Sequence, residues 1–346
     1  MKKKTLVIVG GGFAGSVIAR NLQNSCNTIL IDEKSFFEYT PSILRSIVEP
    51  SHLCKIQVKH KNYLKNTKII KGRVGVISKK DVTVNDNKIK YDYLVIASGS
   101  SYSSPIKEHH LIDSSNAKLL RDNYSNLCKA QRVLIVGGGL VGVELAAEIS
   151  EKYHSDIKNG KKQVDLIHSH ERLIPRENKK ASYYAEYYLK NHGVNIVLNT
   201  KVDEKRIKEY DIAFLCVGIK PNSTFMEKNF EKSVDEKGFI KTNKYLQLNN
   251  YSNIFVAGDV SNIKEEKLAQ NAEKHAKIIS ENIRILESID SHNKLTEYSK
   301  TEKLKVMSLG KHSGVATYKK LTLIGFLPGL LKNLIEYFII LGYKIK

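Results

Sequence analysis

The chain has 346 residues, with 56 Lys and Arg against 36 Asp and Glu, a formal net charge of +20. That length exceeds one ordinary core and suits two nucleotide domains plus an appendage, and the chain contains no low-complexity tract. The positive balance favours a polyanion, either nucleic acid or an anionic lipid surface, but the lysines are spread without a basic block, as lysines that merely solvate a surface also are.

Taken in chain order, Lys2-Lys3-Lys4 precede the apolar run Leu6-Val7-Ile8-Val9. That run is too short for an export signal and breaks at once into glycines, so it reads as a first strand in a protein expected to stay inside the cell or organelle that made it. The segment Gly10-Gly11-Gly12-Phe13-Ala14-Gly15 follows. Between strand and helix this spacing has a mechanism: Gly10 allows the tight turn, Gly12 lets backbone reach a pyrophosphate, and Gly15 lets helix pack on strand. The next strand, Thr28–Ile31, ends at Asp32, whose carboxylate can accept from an adenosine ribose hydroxyl. Tyr93–Ile96 is a further apolar strand, ending in Ala97-Ser98-Gly99.

The fingerprint then recurs. Val133–Val136 runs into Gly137-Gly138-Gly139-Leu140-Val141-Gly142, with Glu144 just beyond, where a carboxylate can cap the helix's first turns. Two fingerprints in strand-turn-helix context point to two dinucleotides, and a flavin that takes hydride from a nicotinamide is the simplest chemistry needing both. Gly218 joins the second set of nucleotide-binding positions. The strand Val164–Ile167 ends in His168-Ser169, where an NADH-selective site would present an acid. Without that acid nothing repels a 2′-phosphate, so NADPH is expected beside NADH; Arg172 and Arg176 are either phosphate contacts or solvated loop charges.

Asn253–Val256 is a strand ending in Ala257-Gly258-Asp259, and Leu268–His275 opens a helical pattern. Finally, Phe326-Leu327-Pro328-Gly329 is followed by Leu330, Leu331, Leu334, Ile335, Phe338 and Leu341 at helical spacing, with Lys332, Asn333 and Glu336 on the other face. The polar residues argue against a bilayer span. An amphipathic helix over about 326–346, flanked by Lys344 and Lys346 with Tyr337 and Tyr343 at headgroup level, is expected to lie in an anionic membrane interface; its own core or a homodimer interface are the alternatives. Cys26, Cys54, Cys128 and Cys216 form no Cys-x-x-Cys pair, which excludes a dithiol relay, and all four read as small, mostly buried residues.

With the double fingerprint, the Ala97-Ser98-Gly99 strand end and Gly258-Asp259, the chain resembles the two-dinucleotide-fold flavoproteins, the pyridine nucleotide-disulfide reductase superfamily. The resemblance implies an α/β fold with two Rossmann-like, glutathione-reductase-like domains and a small C-terminal membrane-association segment. FAD is implied at Gly10, Gly12, Gly15, Asp32, Ala97, Gly99, Gly258 and Asp259, and NADH or NADPH at Gly137, Gly139, Gly142, His168 and Gly218. Ser98 stands for the family's usual Thr, and Tyr39-Thr40-Pro41-Ser42 occupies the place of the disulfide reductases' reactive thiol. The expected domains are 1–103 with 222–292 for FAD, 104–221 for NAD(P)H, and 293–346 at the C-terminus.

The Ala-Gln-x-Ala stretch Ala269-Gln270-Asn271-Ala272 and the later Ser308-Leu309-Gly310 are similar to type II NADH:quinone oxidoreductases and, more closely, to the ferroptosis suppressor (apoptosis-inducing-factor-like) branch. The resemblance implies non-pumping transfer of hydride from NAD(P)H to FAD N5, then of electrons to a membrane quinone, at the cytoplasmic face of a membrane. Catalytic positions would be Gln270, Lys274 (where a second Gln is usual) and Glu144, which would orient the nicotinamide carboxamide, with Lys274 or His275 supplying protons. A soluble reductase of a small electron carrier is the enzymatic alternative. An apoptosis-inducing-factor-like redox protein that binds nucleic acid is the other, although no nucleic-acid module supports it.

Overall fold

The computed structural model describes residues 3–101, 124–288 and 294–345. Strands β1 (Thr5–Val9), β2 (Asn27–Asp32), β3 (Thr67–Lys71) and β4 (Tyr93–Ile96) begin one parallel sheet, with helix α1 (Phe13–Leu22) after β1. A second parallel sheet holds β5 (Arg132–Val136), β6 (Gln163–Ile167), β7 (Val194–Val197) and β8 (Ile212–Leu215), with α2 (Leu140–Lys152) after β5 and α3 (Lys179–Asn191) after β6. The chain then returns to the first sheet through β9 (Ile254–Val256), giving the order β9-β4-β1-β2-β3 beside β7-β6-β5-β8. Each sheet is therefore a parallel α/β unit with its fingerprint strand in an inner position, as the fingerprints implied.

The central strands are apolar on both faces because both faces are covered. Leu6 and Ile8 enter one core and Val7 and Val9 the other, as strand alternation requires. Helix α4 (Ala269–Glu287) packs along α1, joined by Asn21 to Ser280.

The C-terminal part is an antiparallel sheet of β10 (Lys305–Leu309), β11 (Ser313–Tyr318) and β12 (Leu321–Gly325), followed at once by α5 (Phe326–Lys344). Gly314 and Gly329 let this helix lie flat on β11: a Cβ on Gly314 would sit 3.0 Å from the Gly329 nitrogen. The expected domain limits at 103/104 and 292/293, and the flanking Lys346, lie outside the described residues.

The helix is oriented opposite to the usual amphipathic sense. Its polar residues face the protein: Lys332 bonds Glu144, Asn333 bonds the Lys311 carbonyl, and Glu336 pairs with buried His52 at 3.5 Å. Phe326, Leu327, Leu330, Leu334, Tyr337 and Phe338 are exposed. Tyr343 departs from its expected headgroup place. It is buried, stacked on Phe37 at 4.0 Å, and shares a 2.8 Å hydrogen bond with Ser16 of α1. With 19 residues and mean hydropathy 1.2 the helix is long and apolar enough to cross a membrane, contrary to the expectation from its polar residues, yet those residues and Tyr343 bind it along the protein.

Candidate functional site

Both glycine loops open into one cavity of about 1340 Å³ that also reaches Ala269–Glu273 and the underside of α5 at Lys332, Ile335 and Ile339. The two loops are built alike. Gly10 and Gly137 have φ of +98° and +109°, and a Cβ on either would strike backbone, Ala97 O at 2.3 Å and Cys216 O at 2.6 Å. A Cβ on Gly15 or Gly142 would lie within 2 Å of the first glycine's carbonyl oxygen, at 1.8 and 1.9 Å. Gly12 and Gly139 have nothing within 4 Å and line the cavity. No side chain caps α1 or α2 at its start, so first-turn N–H groups face this space with the positive end of each helix dipole. Two such cradles fit two pyrophosphates. The middle glycines matter too, though their type carried no specific expectation: a Cβ on Gly11 would meet Asp32 at 2.4 Å, and one on Gly138 would meet Leu173 at 2.6 Å.

Asp32 ends β2 with its carboxylate held in place. Oδ2 accepts from the Gly11 N–H at 2.6 Å, Oδ1 from the Lys34 N–H at 2.9 Å, and buried His60 Nε2 is 3.4 Å away. Burial pushes the carboxyl up, but His60 and the Lys34 charge outweigh it and hold Asp32 below the usual carboxylate range. His60 is in turn oriented by Tyr63, 2.6 Å from Nδ1. Nothing in its sequence neighbourhood marked His60, because it reaches Asp32 from a separate segment.

At the second site His168 lines the cavity after β6, stacked on His170 at 4.9 Å, with Nε2 buried and without a partner among the described residues. Burial and the neighbouring His170 push its pKa down, so it meets the cavity as a neutral ring at neutral pH. Arg176 and Lys201 line the same region, whereas Arg172 is held by the Pro175 and Glu177 carbonyls.

Between the sites, Ser98 and Asn222 exchange hydrogen bonds with each other's backbone carbonyls at 2.6 and 2.9 Å, tying the strand end at Ala97 and Gly99 to the returning chain. Gly258 turns at φ +73°, and Asp259 Oδ2 accepts from Ser100 Oγ at 2.7 Å. Gly218, φ +119°, has open space at its Cβ position.

Several expected catalytic placements change. His275 is buried: Nδ1 accepts from the Gly258 N–H at 3.0 Å and Nε2 lies 2.9 Å from Glu265, so it braces the Gly258-Asp259 turn and cannot face a substrate. Lys274 leaves the cavity for the Ser299 carbonyl and Thr301 Oγ1. Gln270 stays at the cavity wall, its amide donating to Leu304 O at 2.9 Å. Glu144 neither caps α2 nor stands free: Oε1 accepts from Ser308 N at 3.0 Å, Ser308 Oγ at 3.1 Å and Lys332 Nζ at 3.2 Å. Lys332, on the polar face of α5, is thus a buried partner in the cavity wall. The four cysteines are free thiols, but Cys54 and Cys128 are exposed and only Cys26 and Cys216 buried.

Residues 4–276 match the pyridine nucleotide-disulphide oxidoreductase family. The chain is 31% identical to apoptosis-inducing factor homolog B of Dictyostelium discoideum, covering 91% of this chain and 89% of that protein. It is 30% identical to ferroptosis suppressor protein 1 of Taeniopygia guttata, covering 90% and 87%. Among solved structures it is similar to NDH2 from Plasmodium falciparum in complex with NADH, at a TM-score of 0.80 and 16% identity over 100% of this chain and 98% of that one. The chain belongs to the pyridine nucleotide-disulphide oxidoreductase family, as a flavoprotein oxidoreductase that works with FAD and NAD(P)H.

Proposed function

We propose that the protein is a FAD-dependent NAD(P)H:quinone oxidoreductase working on an anionic membrane surface. The observation that carries this reading is the single cavity running from both glycine cradles to the underside of α5, a helix whose outer face is apolar. The apolar surface continues over Leu321, 73% exposed, and Leu323 of β12, and Lys319 and Lys320 form the hairpin tip beside it. A patch of this kind, rimmed by lysine, suits the headgroup boundary of an anionic bilayer. In this reading a lipid-soluble substrate reaches the cavity beneath α5 from the bilayer.

Gly10, Gly12, Gly15, Asp32, Ala97, Gly99, Gly258 and Asp259 would hold FAD, and Gly137, Gly139, Gly142, His168 and Gly218 the nicotinamide. When bound, the flavin accepts hydride from NAD(P)H and passes the electron pair to the quinone. The protein's part is alignment: two pyrophosphates fixed by backbone N–H groups bring the reactive rings into one cleft. His275 and Ser100 hold the Gly258-Asp259 turn. Glu144 ties α2 to β10 and, through Lys332, to α5, so the nicotinamide domain and the membrane helix share one wall. Gln270 stands on that cavity's rim, at the start of α4.

Steady-state oxidation of NADH and NADPH tests the reading, with decylubiquinone or ferricyanide as acceptor and anionic or neutral liposomes present. Faster turnover with the quinone in anionic liposomes supports it. Turnover only with a soluble iron-sulfur carrier, or salt-sensitive DNA binding without quinone turnover, would replace it with a carrier reductase or a nucleic-acid-binding redox protein.

A further inference from the structure

Glu273 lies one turn after Gln270 on the same face of α4 and lines the cavity, as Ile335 and Ile339 of α5 also do. It is half-buried, and it makes no hydrogen bond or ion pair with any described residue. A half-buried carboxyl without a bonded partner is costly to keep ionised, which makes it a candidate for a function in the cavity. The charged groups around it are engaged elsewhere. Arg20 of α1 bonds Gly342 O at 3.2 Å and lies over the Tyr343 ring, and Lys303, ahead of β10, donates to Gln270 O. Lys277 of its own helix is exposed. Tyr39 and Tyr343 are the phenols within its electrostatic reach, both buried.

We propose that Glu273 is the proton donor to the quinone in this cavity, an inference that rests on the quinone-reductase reading above. Reduction of a quinone to its hydroquinone takes up two electrons and two protons. The electrons come from NAD(P)H through the flavin. Glu273 O–H supplies one proton to a quinone oxygen as its C=O π bond is lost, and the carboxylate left behind recovers that proton from solvent; the second is the hydrogen of the transferred hydride, released as a proton once its two electrons have passed to the quinone, so that NAD(P)H, one solvent proton and quinone give NAD(P)+ and hydroquinone. Burial holds the Glu273 carboxyl above its ordinary range, against the opposing charges of Lys277, Lys303 and Arg20, which keeps more of it protonated near neutrality.

The test compares the flavin-loaded wild type with Glu273→Gln and Glu273→Asp, each checked for flavin content and melting temperature. The ratio of decylubiquinone to ferricyanide turnover should fall at least about tenfold in Glu273→Gln, since ferricyanide takes no proton. The fall in quinone kcat/KM as pH rises through the carboxyl's titration should vanish in that variant and persist in Glu273→Asp. Calorimetry supplies a readout without turnover: in buffers of different ionisation enthalpy, decylubiquinone binding to the oxidised wild type should take up protons above that titration, and binding to Glu273→Gln should not. An unchanged acceptor ratio and pH profile in Glu273→Gln, or equal proton uptake in both proteins, overturns the proposal while leaving quinone reduction standing. If the wild type does not reduce the quinone at all, the functional reading fails first.

Discussion

The two glycine loops allow a substitution that separates folding from ligand binding. A Cβ on Gly12 meets no protein atom within 4 Å, whereas one on Gly15 lies 1.8 Å from Gly10 O. Gly12→Val should therefore fold, with its side chain standing where a pyrophosphate must lie, and Gly15→Val should be destabilised by forcing α1 off β1. Two or three first-turn N–H groups bonded to phosphate are worth about 1.5–3 kcal/mol each. Losing them removes about 3–9 kcal/mol, at least roughly a hundredfold in flavin affinity. The purified Gly12→Val protein should be colourless, with a melting temperature close to that of flavin-stripped wild type. Gly139→Val, equally open, should stay yellow but show a greatly raised KM for NAD(P)H. Visible absorbance, thermal melts and steady-state kinetics check this. Stoichiometric flavin in Gly12→Val, or loss of flavin from Gly139→Val alone, would refute the assignment of the two sites.

Phe338→Asp should weaken liposome binding roughly a hundredfold, from about 2 kcal/mol of lost Phe burial plus about 1 kcal/mol of repulsion from anionic lipid, read by co-sedimentation; binding at the wild-type level would mean the outer face of α5 serves another partner. His168→Glu should raise the KM for NADPH at least about tenfold more than that for NADH, because a carboxylate replaces a neutral ring in the cavity wall; equal effects would show that residue 168 does not face the ribose. Lys332→Met leaves Glu144 buried without its cation, a loss of about 3–5 kcal/mol that Glu144→Gln in the same chain should largely restore; a melting temperature unmoved by the single change contradicts the buried pair. Asp32 has its folded pKa depressed, so its contribution is fully present above the ordinary carboxylate pKa and is lost as pH falls through the lower folded value; the acid arm of the pH-stability curve should flatten in Asp32→Asn.

What the sequence disclosed were constraints that act locally. Gly10 and Gly137 must turn at positive φ, Gly15 and Gly142 must admit a carbonyl within 2 Å of where a Cβ would be, and such demands restrict residue type at fixed spacing. Asp32 was legible for the same reason, being the last residue of a strand beside the first loop. The partners of these residues were not. His60 is 28 positions from Asp32, and Lys332 is 188 from Glu144, so only the tertiary fold brings them together. The polarity of α5 was legible as a pattern, and its apolar face is the exposed one, but a helical period does not say that Lys332, Asn333 and Glu336 meet partners on the protein. Lys274 and His275 follow Glu273 directly, yet helical rotation turns them to the Ser299 segment and the Gly258 turn and leaves Glu273 in the cavity.

The central claim is that one cavity joins two dinucleotide sites to a membrane face. Its most direct measurement is NAD(P)H oxidation by the purified flavoprotein with a long-tailed quinone embedded in liposomes, as the anionic lipid fraction is varied at constant quinone. Turnover that rises with anionic lipid in step with protein binding, while ferricyanide reduction stays level, is the predicted result. Quinone turnover that is absent, or independent of lipid charge and of binding, would contradict the account.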